Sequence, residues 1–462
     1  MPRKKTKPIL SKKPVKRRRE KIQRPRGMKD LLPADFVYVD FIKSIADSTL
    51  RTYSFRRMDT PIAESVDLFV RAIGEDTDIV EKEMFVLKGR SREEKLALRP
   101  EFTAGVCRAY IENGMASMPQ PLKLFSWGPI FRGERPQSGR YRQFNQINFE
   151  IIGGSKPALD AQTIQIAWRI LERLGLKNLV VQINSIGCEE CRPVYRQMLI
   201  DYYKPNVNKL CADCKRRIKK NPLRLLDCKE EKCQRVASNA PQMFDNLCED
   251  CHDHFKLVLE LLDELDIPYM LNSSLVRGLD YYTKTVFEIR REEDINHSGS
   301  QLSLCGGGRY DGLIELLGGS PTPAVGVAIG VERIILEMKE KKIVPPEFPK
   351  PRVFLAQLGE LAKREGFKIF ERLYLADIDV VESFGRDSLK SQLKQAEKQK
   401  VQLTLILGQK EAVDGNILIR DMGTGIQEVT SQEKMIGDIK ERLKAKEDER
   451  NDKIKMAKKK TK

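Results

Sequence analysis

Between Leu122 and Gly154 the chain alternates. In QFNQINFEII, residues 143–152, Ile147, Phe149 and Ile151 fall on one face of a strand and Gln146, Asn148 and Glu150 on the other. The preceding run LKLFSWGPIF has the same strand character, and the two flank a short polar loop, which predicts a long hairpin. Nearer the N-terminus, RPRGMKDLLPADFVYVDFIKSIADSTLRTYSF reads as a turn followed by an amphipathic helix beginning near Asp35. Mixed helical and alternating stretches continue to about residue 185, and strand signals return at NSSLVRGLDYYTKTVFEIR. The Pro-rich KKIVPPEFPKPR, 341–352, reads as a linker. Beyond it RVFLAQL, DIDVVESF, VQLTLILG and GNILIRDM read as short strands. Helical stretches near 359–374, 387–400 and 430–446 separate them, the pattern of a small α/β domain.

With 40% hydrophobic and 32% charged residues over 462 positions, the composition is that of a globular chain with a heavily charged surface. No apolar run approaches the ~18 residues of a membrane span. The opening residues carry no apolar segment of signal-peptide type. The expectation is a cytoplasmic protein with no membrane association. The net charge of +17 sits at the ends: residues 1–25 hold twelve Lys/Arg against Glu20, and residues 453–462 hold six Lys against no acid. Residues 26–452 are therefore formally neutral. The basic tails, 1–25 and 446–462, are expected to be disordered. They serve either as solubilising ends or as weak, salt-sensitive attractors of a polyanion such as RNA.

Eight of the ten cysteines lie between Cys188 and Cys251, in CEEC, CADC, CKEEKC and CEDC. They mark an insertion over about 186–256. The spacing from Cys191 to Cys211 suits a zinc ribbon, and in a reducing compartment thiolate pairs bind Zn²⁺ in preference to forming disulfides. A structural zinc on Cys188, Cys191, Cys211 and Cys214 is one reading, and reduced thiols in a small helical module the other.

The hairpin loop carries Arg132, Arg135, Arg140 and Arg142, with only Glu134 and Glu150 nearby to neutralise them. Every base from 131 to 154 is Arg, and the guanidinium fork suits phosphate oxygens where an ammonium acts as a point charge. An anion site is thus favoured over an exposed hairpin laced with ion pairs. Which phosphate chemistry it serves is a separate question. The chain has no GxxxxGK[ST] loop, and the glycines of CGGGRYDG lack dinucleotide-fingerprint spacing. Only His252, His254 and His297 are present, so a histidine-based hydrolase has little support.

The hairpin resembles the second signature motif of class II aminoacyl-tRNA synthetases. LVRGLDYYT (275–283) and CGGGRYDGL (305–313) are similar to the two histidine-specific motifs of the histidyl-tRNA synthetase family. AVGVAIGVERIILEM (324–338) resembles the third class II motif, and RGMKDLLP and TDIVEKEMF resemble N-terminal landmarks of the family. The likeness runs from about residue 26 to 445. It implies an α+β fold: a catalytic domain at 26–340, an antiparallel sheet with flanking helices, then a linker at 341–351 and an anticodon-binding α/β domain at 352–445.

The resemblance further implies that ATP, with Mg²⁺, activates L-histidine to an adenylate, which is passed to tRNA(His). Arg132 would contact the α-phosphate and carboxylate, with Glu134 near the adenine. Arg140 and Arg333 would hold the β- and γ-phosphates, and Arg277 would be a further catalytic cation at the α-phosphate. Glu101, Thr103 and Gln146 would receive the ammonium of histidine, Glu150 and Tyr281 its imidazole, and Tyr282 would line the pocket. The family usually has RPEGT where this chain has RPEFT, which puts Phe102 at a glycine position in the pocket wall. A homodimer through the first motif, around MDTPIAESVDLF, is implied as well, and the insertion would suit contact with the tRNA acceptor arm. Two other classes stay open: a catalytically silent regulatory paralogue, and an RNA-binding or stress-sensing module.

Overall fold

The computed structural model describes residues 21–88, 95–294, 303–346 and 350–460. Residues 1–20 of the basic N-terminal tail, His297, residues 347–349 of the Pro-rich stretch and residues 461–462 lie outside them. The chain divides into two compact units, Met1–Pro345 and Pro346–Lys462.

Eight strands of the first unit form one sheet: β1 (Arg56–Arg57), β2 (Leu122–Phe131), β3 (Gln143–Ile152), β4 (Leu179–Ser185), β5 (Tyr269–Leu271), β6 (Thr283–Arg291), β7 (Cys305–Arg309) and β8 (Ala324–Gly330). Their spatial order is β1-β2-β3-β8-β7-β6-β4-β5. The two edge pairings are parallel and the five between them antiparallel. The expected hairpin is β2–β3, with Phe131 opposite Gln143 and Leu122 opposite Ile152. Ile147, Phe149 and Ile151 enter the largest core cluster, leaving the other face of β3 for polar groups.

That core is closed by helices. In α1 (Pro33–Thr52), Val39, Ile42, Ala46 and Leu50 recur every three or four residues and are buried. Fully burying a side chain such as Ile42 or Leu50 contributes about 1.5–3 kcal/mol. The helix starts at Pro33, two residues before Asp35, because proline at the first position has no N–H to leave unpaired. Next come α2 (Thr103–Glu112), whose Ala104, Val106, Cys107 and Tyr110 pack in a second core cluster, and α3 (Pro157–Arg173), whose Ile164, Ile166, Ala167 and Ile170 pack in the first. Arg309 of β7 is wholly buried against Asp160 of α3 and also donates to Asp311 and to the carbonyls of Gly154 and Lys156. Every guanidinium nitrogen has an acceptor, the condition under which a buried charge is tolerated.

The insertion is helical: α4 (Cys191–Tyr203), α5 (Ala212–Lys220), α6 (Glu231–Ala237) and α7 (Glu249–Asp263). Its own core is separate from the main one. The last helix belongs to both, since Cys251 packs within the insertion whereas Phe255, Val258 and Leu262 pack under the sheet. After β8 the unit ends with α8 (Val331–Glu340).

In the second unit a five-stranded sheet runs in the order 380–382, 353–357, 403–407, 416–421, 427–431. The first three strands are parallel and the last two antiparallel additions. Helices Glu360–Leu375, Leu389–Gln399 and Met435–Lys460 accompany it, with a short one at Gln409–Asp414. The strand Gln427–Ser431 carries no hydrophobic alternation because it is a mostly exposed edge, so the sequence pattern does not mark it. The last helix runs on to Lys460, through the segment expected to be a disordered basic tail. Rich in Lys, Glu, Arg and Ala and free of Pro, that segment has high intrinsic helix propensity. No described helix is long and apolar enough to cross a membrane.

Candidate active site

A cleft opens over the polar face of β3, bounded by the β2–β3 loop, the 277–282 segment, β7, β8 and the start of α8. Arg132, Arg140, Arg277 and Arg333 all line it. Arg132 is anchored by its Nε, which donates to the Pro100 carbonyl at 2.9 Å, and its guanidinium lies 5.6 Å from the centre of the Phe144 ring. Arg140 faces Glu134 at 3.5 Å, and its Nε is buried with no partner among the described residues. Arg333, in the first turn of α8, donates to the carbonyls of Gly139 and Ser303 at 3.3 and 2.8 Å. Burial, together with the charges of Arg140 and Arg132, lowers its pKa to about 10. Like charges disfavour one another here, Glu134 and Glu288 offset them only in part, and an anionic ligand would relieve the rest.

Arg277 is half-buried and ion-paired with Glu288 of β6. Burial disfavours its charge, but Glu288 together with the Tyr282 and Tyr281 side chains outweighs that and raises the pKa. Gly306 makes room for it, since a β-carbon there would lie 2.5 Å from Nη1. This is the close approach that one glycine of CGGGRYDG serves.

Not all loop arginines gather here, contrary to the expectation from their clustering. Arg135 and Arg142 do not line the cleft. The Arg142 side chain is drawn to the carbonyls of Glu134 and Arg26, and its N–H to Gly27, which fastens the N-terminal segment to the loop.

At the other end of the cleft stand Glu101, Thr103, Gln146, Tyr281 and Tyr282. The Glu101 carboxylate accepts from the N–H groups of Thr103 (2.6 Å) and Ala104 (2.8 Å), which caps α2, and from the Tyr281 hydroxyl at 3.4 Å. Gln146 Oε1 is buried and without a partner among the described residues. An unpaired buried acceptor beside a cleft is costly unless a ligand supplies the donor.

Two expected positions differ. Phe102 does not line the cleft: its ring turns away, 4.2 Å from the Arg99 guanidinium, into space left by the absent side chain of Gly128. Glu150 lies just behind the wall, where its carboxylate accepts from Thr103 Oγ1 (2.7 Å), Asn148 Nδ2 (2.6 Å) and the Tyr310 hydroxyl (2.6 Å). Burial raises its pKa to about 7. Its three donors, unlike Glu150 itself, face the cleft.

Tyr310 and Phe144 carried no expected role, and Asn148 was marked only as part of the polar face of β3. Phe144 could have been singled out, since β3 alternation puts it on the polar face with Gln146, where an aromatic ring is out of place. Tyr310 could have been too, directly after the glycines and arginine of CGGGRYDG.

The cysteines also regroup. Cys188, Cys191, Cys211 and Cys214 do not come together as one quartet. Cys188 and Cys191 meet Cys248 and Cys251, whereas Cys211 and Cys214 meet Cys228 and Cys233. Chain spacing brings neighbours in a C-x₂-C pair together, but helix packing decides which pairs face each other.

A family model described as histidyl-tRNA synthetase matches residues 27–334, and an anticodon binding domain model matches residues 352–442. The chain is 47% identical over 421 residues to a histidine–tRNA ligase of Dehalococcoides mccartyi, covering 91% of this chain and 100% of that one. It is 44% identical over 419 residues to one of Desulforamulus reducens, covering 91% and 99%. Among solved structures, an apo S. aureus histidyl-tRNA synthetase aligns with a TM-score of 0.74 at 34% identity, over 90% of this chain and 99% of that one.

Proposed function

The chain belongs to the histidyl-tRNA synthetase family, and from that premise we propose that its cleft activates L-histidine with ATP and then charges tRNA(His). In the first step a histidine carboxylate oxygen attacks the α-phosphorus, the bond to the bridging oxygen breaks, and pyrophosphate leaves. In the second a hydroxyl of the terminal ribose of the tRNA attacks the activated carbonyl, and AMP leaves. Neither step needs a covalent enzyme intermediate, so the task is to bring two anions together and hold them.

The observation that carries this reading is the convergence of four guanidinium groups from three well-separated segments on the cleft that also holds Gln146 Oε1, unpaired among the described residues. Arg132 and Arg277 are suited to the α-phosphate and the carboxylate, where charge builds in the transition state. Arg140 and Arg333 are suited to the β- and γ-phosphates. Phe144 offers the adenine a ring face and Glu134 an acceptor. Gln146, Thr103 and Glu101 suit the ammonium of histidine. Its imidazole falls to Tyr281, Tyr310 and the carboxylate of Glu150 behind them, with Tyr282 as wall. A site built of paired polar groups rejects ligands that lack the matching donor by roughly 10⁴–10⁵ in comparable systems.

Magnesium would enter with ATP. The carboxylates of Glu134 and Glu332, both in the cleft lining, are hard oxygen donors that fit it, and the ion would neutralise phosphate charge. The second unit would grip the anticodon of tRNA(His). A homodimer through the MDTPIAESVDLF segment is supported by exposed apolar side chains at Ile62, Val86 and Leu87, on and beside the small sheet 63–65, 85–88, 95–98. Such a protein would work in the cytoplasm. Regulatory or purely RNA-binding roles would not require Arg132, Arg277 and Arg333 on one cleft. The test is ATP–pyrophosphate exchange by the purified chain with each amino acid in turn, followed by charging of tRNA(His). Exchange with histidine alone is expected, and its absence would overturn the reading.

A further inference from the structure

We infer that the insertion holds two separate zinc ions, one on Cys188, Cys191, Cys248 and Cys251 and the other on Cys211, Cys214, Cys228 and Cys233. Within each quartet all four sulfurs lie within 4.8 Å of one another. The resolved separations are 3.7 Å (Cys188–Cys191), 3.8 Å (Cys188–Cys248) and 3.9 Å (Cys211–Cys228). A tetrahedron with Zn–S bonds of about 2.3 Å has sulfurs about 3.8 Å apart, whereas a disulfide needs about 2.05 Å. The spacing is that of four thiolates round one small ion.

Each quartet is also provided with donors to its sulfurs. The N–H of Cys248 points to Cys191 Sγ at 3.1 Å, that of Cys211 to Cys233 Sγ at 3.2 Å, and that of Cys214 to Cys211 Sγ at 3.4 Å. Amide donors of this kind stabilise thiolate charge and orient the ligand. The four cysteine pairs sit at the starts of α4, α5, α6 and α7, where the helix dipole favours negative charge. The insertion needs such staples. Five of the 14 buried residues of its core are cysteines, a small apolar interior for a module of this length.

The two sites have different consequences. The pairing is nested, so the outer ion clamps the entry to the insertion against its exit. One residue beyond Cys191, Arg192 donates to the carbonyls of Ile186 and Tyr282, and Gly187 accepts from the N–H of Lys284. The outer ion therefore holds the backbone of Tyr282, a wall of the cleft. The inner ion holds the turn into α5, whose Arg216, Arg217 and Lys220 pair with Glu81, Asp78 and Asp76.

The assignment does not depend on which amino acid the cleft takes, and metal content tests it directly. Full-length chain purified under reducing, chelator-free conditions should contain two zinc per polypeptide by mass spectrometry. Titrating the intact chain with an organomercurial should release both. Cobalt exchanged into the chain should show the visible bands of tetrahedral thiolate coordination at two equivalents. A Cys211→Ser/Cys228→Ser variant should retain one zinc, and so should Cys188→Ser/Cys248→Ser, the latter with the larger rise in KM for histidine. Zinc at one equivalent or fewer in the unmodified chain, or the absorption of iron, would overturn the assignment, and these readings need no variant to fold.

Discussion

Gly326 of β8 stands directly across the sheet from Glu150 of β3, and a β-carbon on it would collide with the Glu150 carboxylate. Gly326 lines the cleft and Glu150 lies behind it, so the missing side chain is what lets that carboxylate come so near the surface. Gly326→Ala should displace Glu150 from Thr103, Asn148 and Tyr310. KM for histidine in exchange should then rise at least about tenfold, or about 1.4 kcal/mol, while KM for ATP changes little. Equal changes in both would show that the contact only shapes the sheet.

Removing the guanidinium of Arg277 should cost far more than binding. Arg277→Ala leaves Glu288 with Arg290 as a partner, so the chain should stay folded by circular dichroism. Adenylate formation should fall about 10³-fold, the scale of losing a preorganised charge in a buried site. Near-normal exchange in a folded variant would show that the pair with Glu288 is purely structural.

Glu150 should leave a signature in pH dependence. Its folded-state pKa, about 7, lies above the ordinary 4.5, so folding favours the protonated carboxyl. The stability it contributes is complete below about pH 4.5 and is lost as pH rises through 7, by up to about 3 kcal/mol. Melting temperatures of the parent and Glu150→Gln should therefore diverge with pH, the parent's relative stability falling between pH 5 and 8. The same variant should weaken histidine binding more than ATP binding. Parallel melting curves would mean that Glu150 stays in one protonation state throughout.

A chain ending at Pro345 should form the adenylate and fail to charge tRNA. Every residue lining the cleft precedes the boundary between the two units, and each unit has its own core. Exchange and charging measured side by side on the truncated and full chains make the comparison. Charging at the full rate by the truncated chain would give the second unit another purpose.

The sequence by itself determined what depends on neighbours along the chain. Alternation over 143–152 put Ile147, Phe149 and Ile151 into the core, and helical spacing from Val39 to Leu50 set the buried face of α1, because side-chain direction follows from backbone period. The arginine-rich hairpin and the glycines before Tyr310 were legible for the same reason. Only the tertiary structure decided relations across the fold. Which two of the four loop arginines reach the cleft depends on carbonyls at Glu134 and Arg26 that draw Arg142 aside. Where Phe102 points depends on the space beside Gly128, and how near Glu150 comes to the cleft on a glycine more than 170 residues away. The cysteines divide the two contributions most clearly. Spacing along the chain made each pair, but the packing of four short helices round a small core joined the first pair to the last and left the middle two to each other.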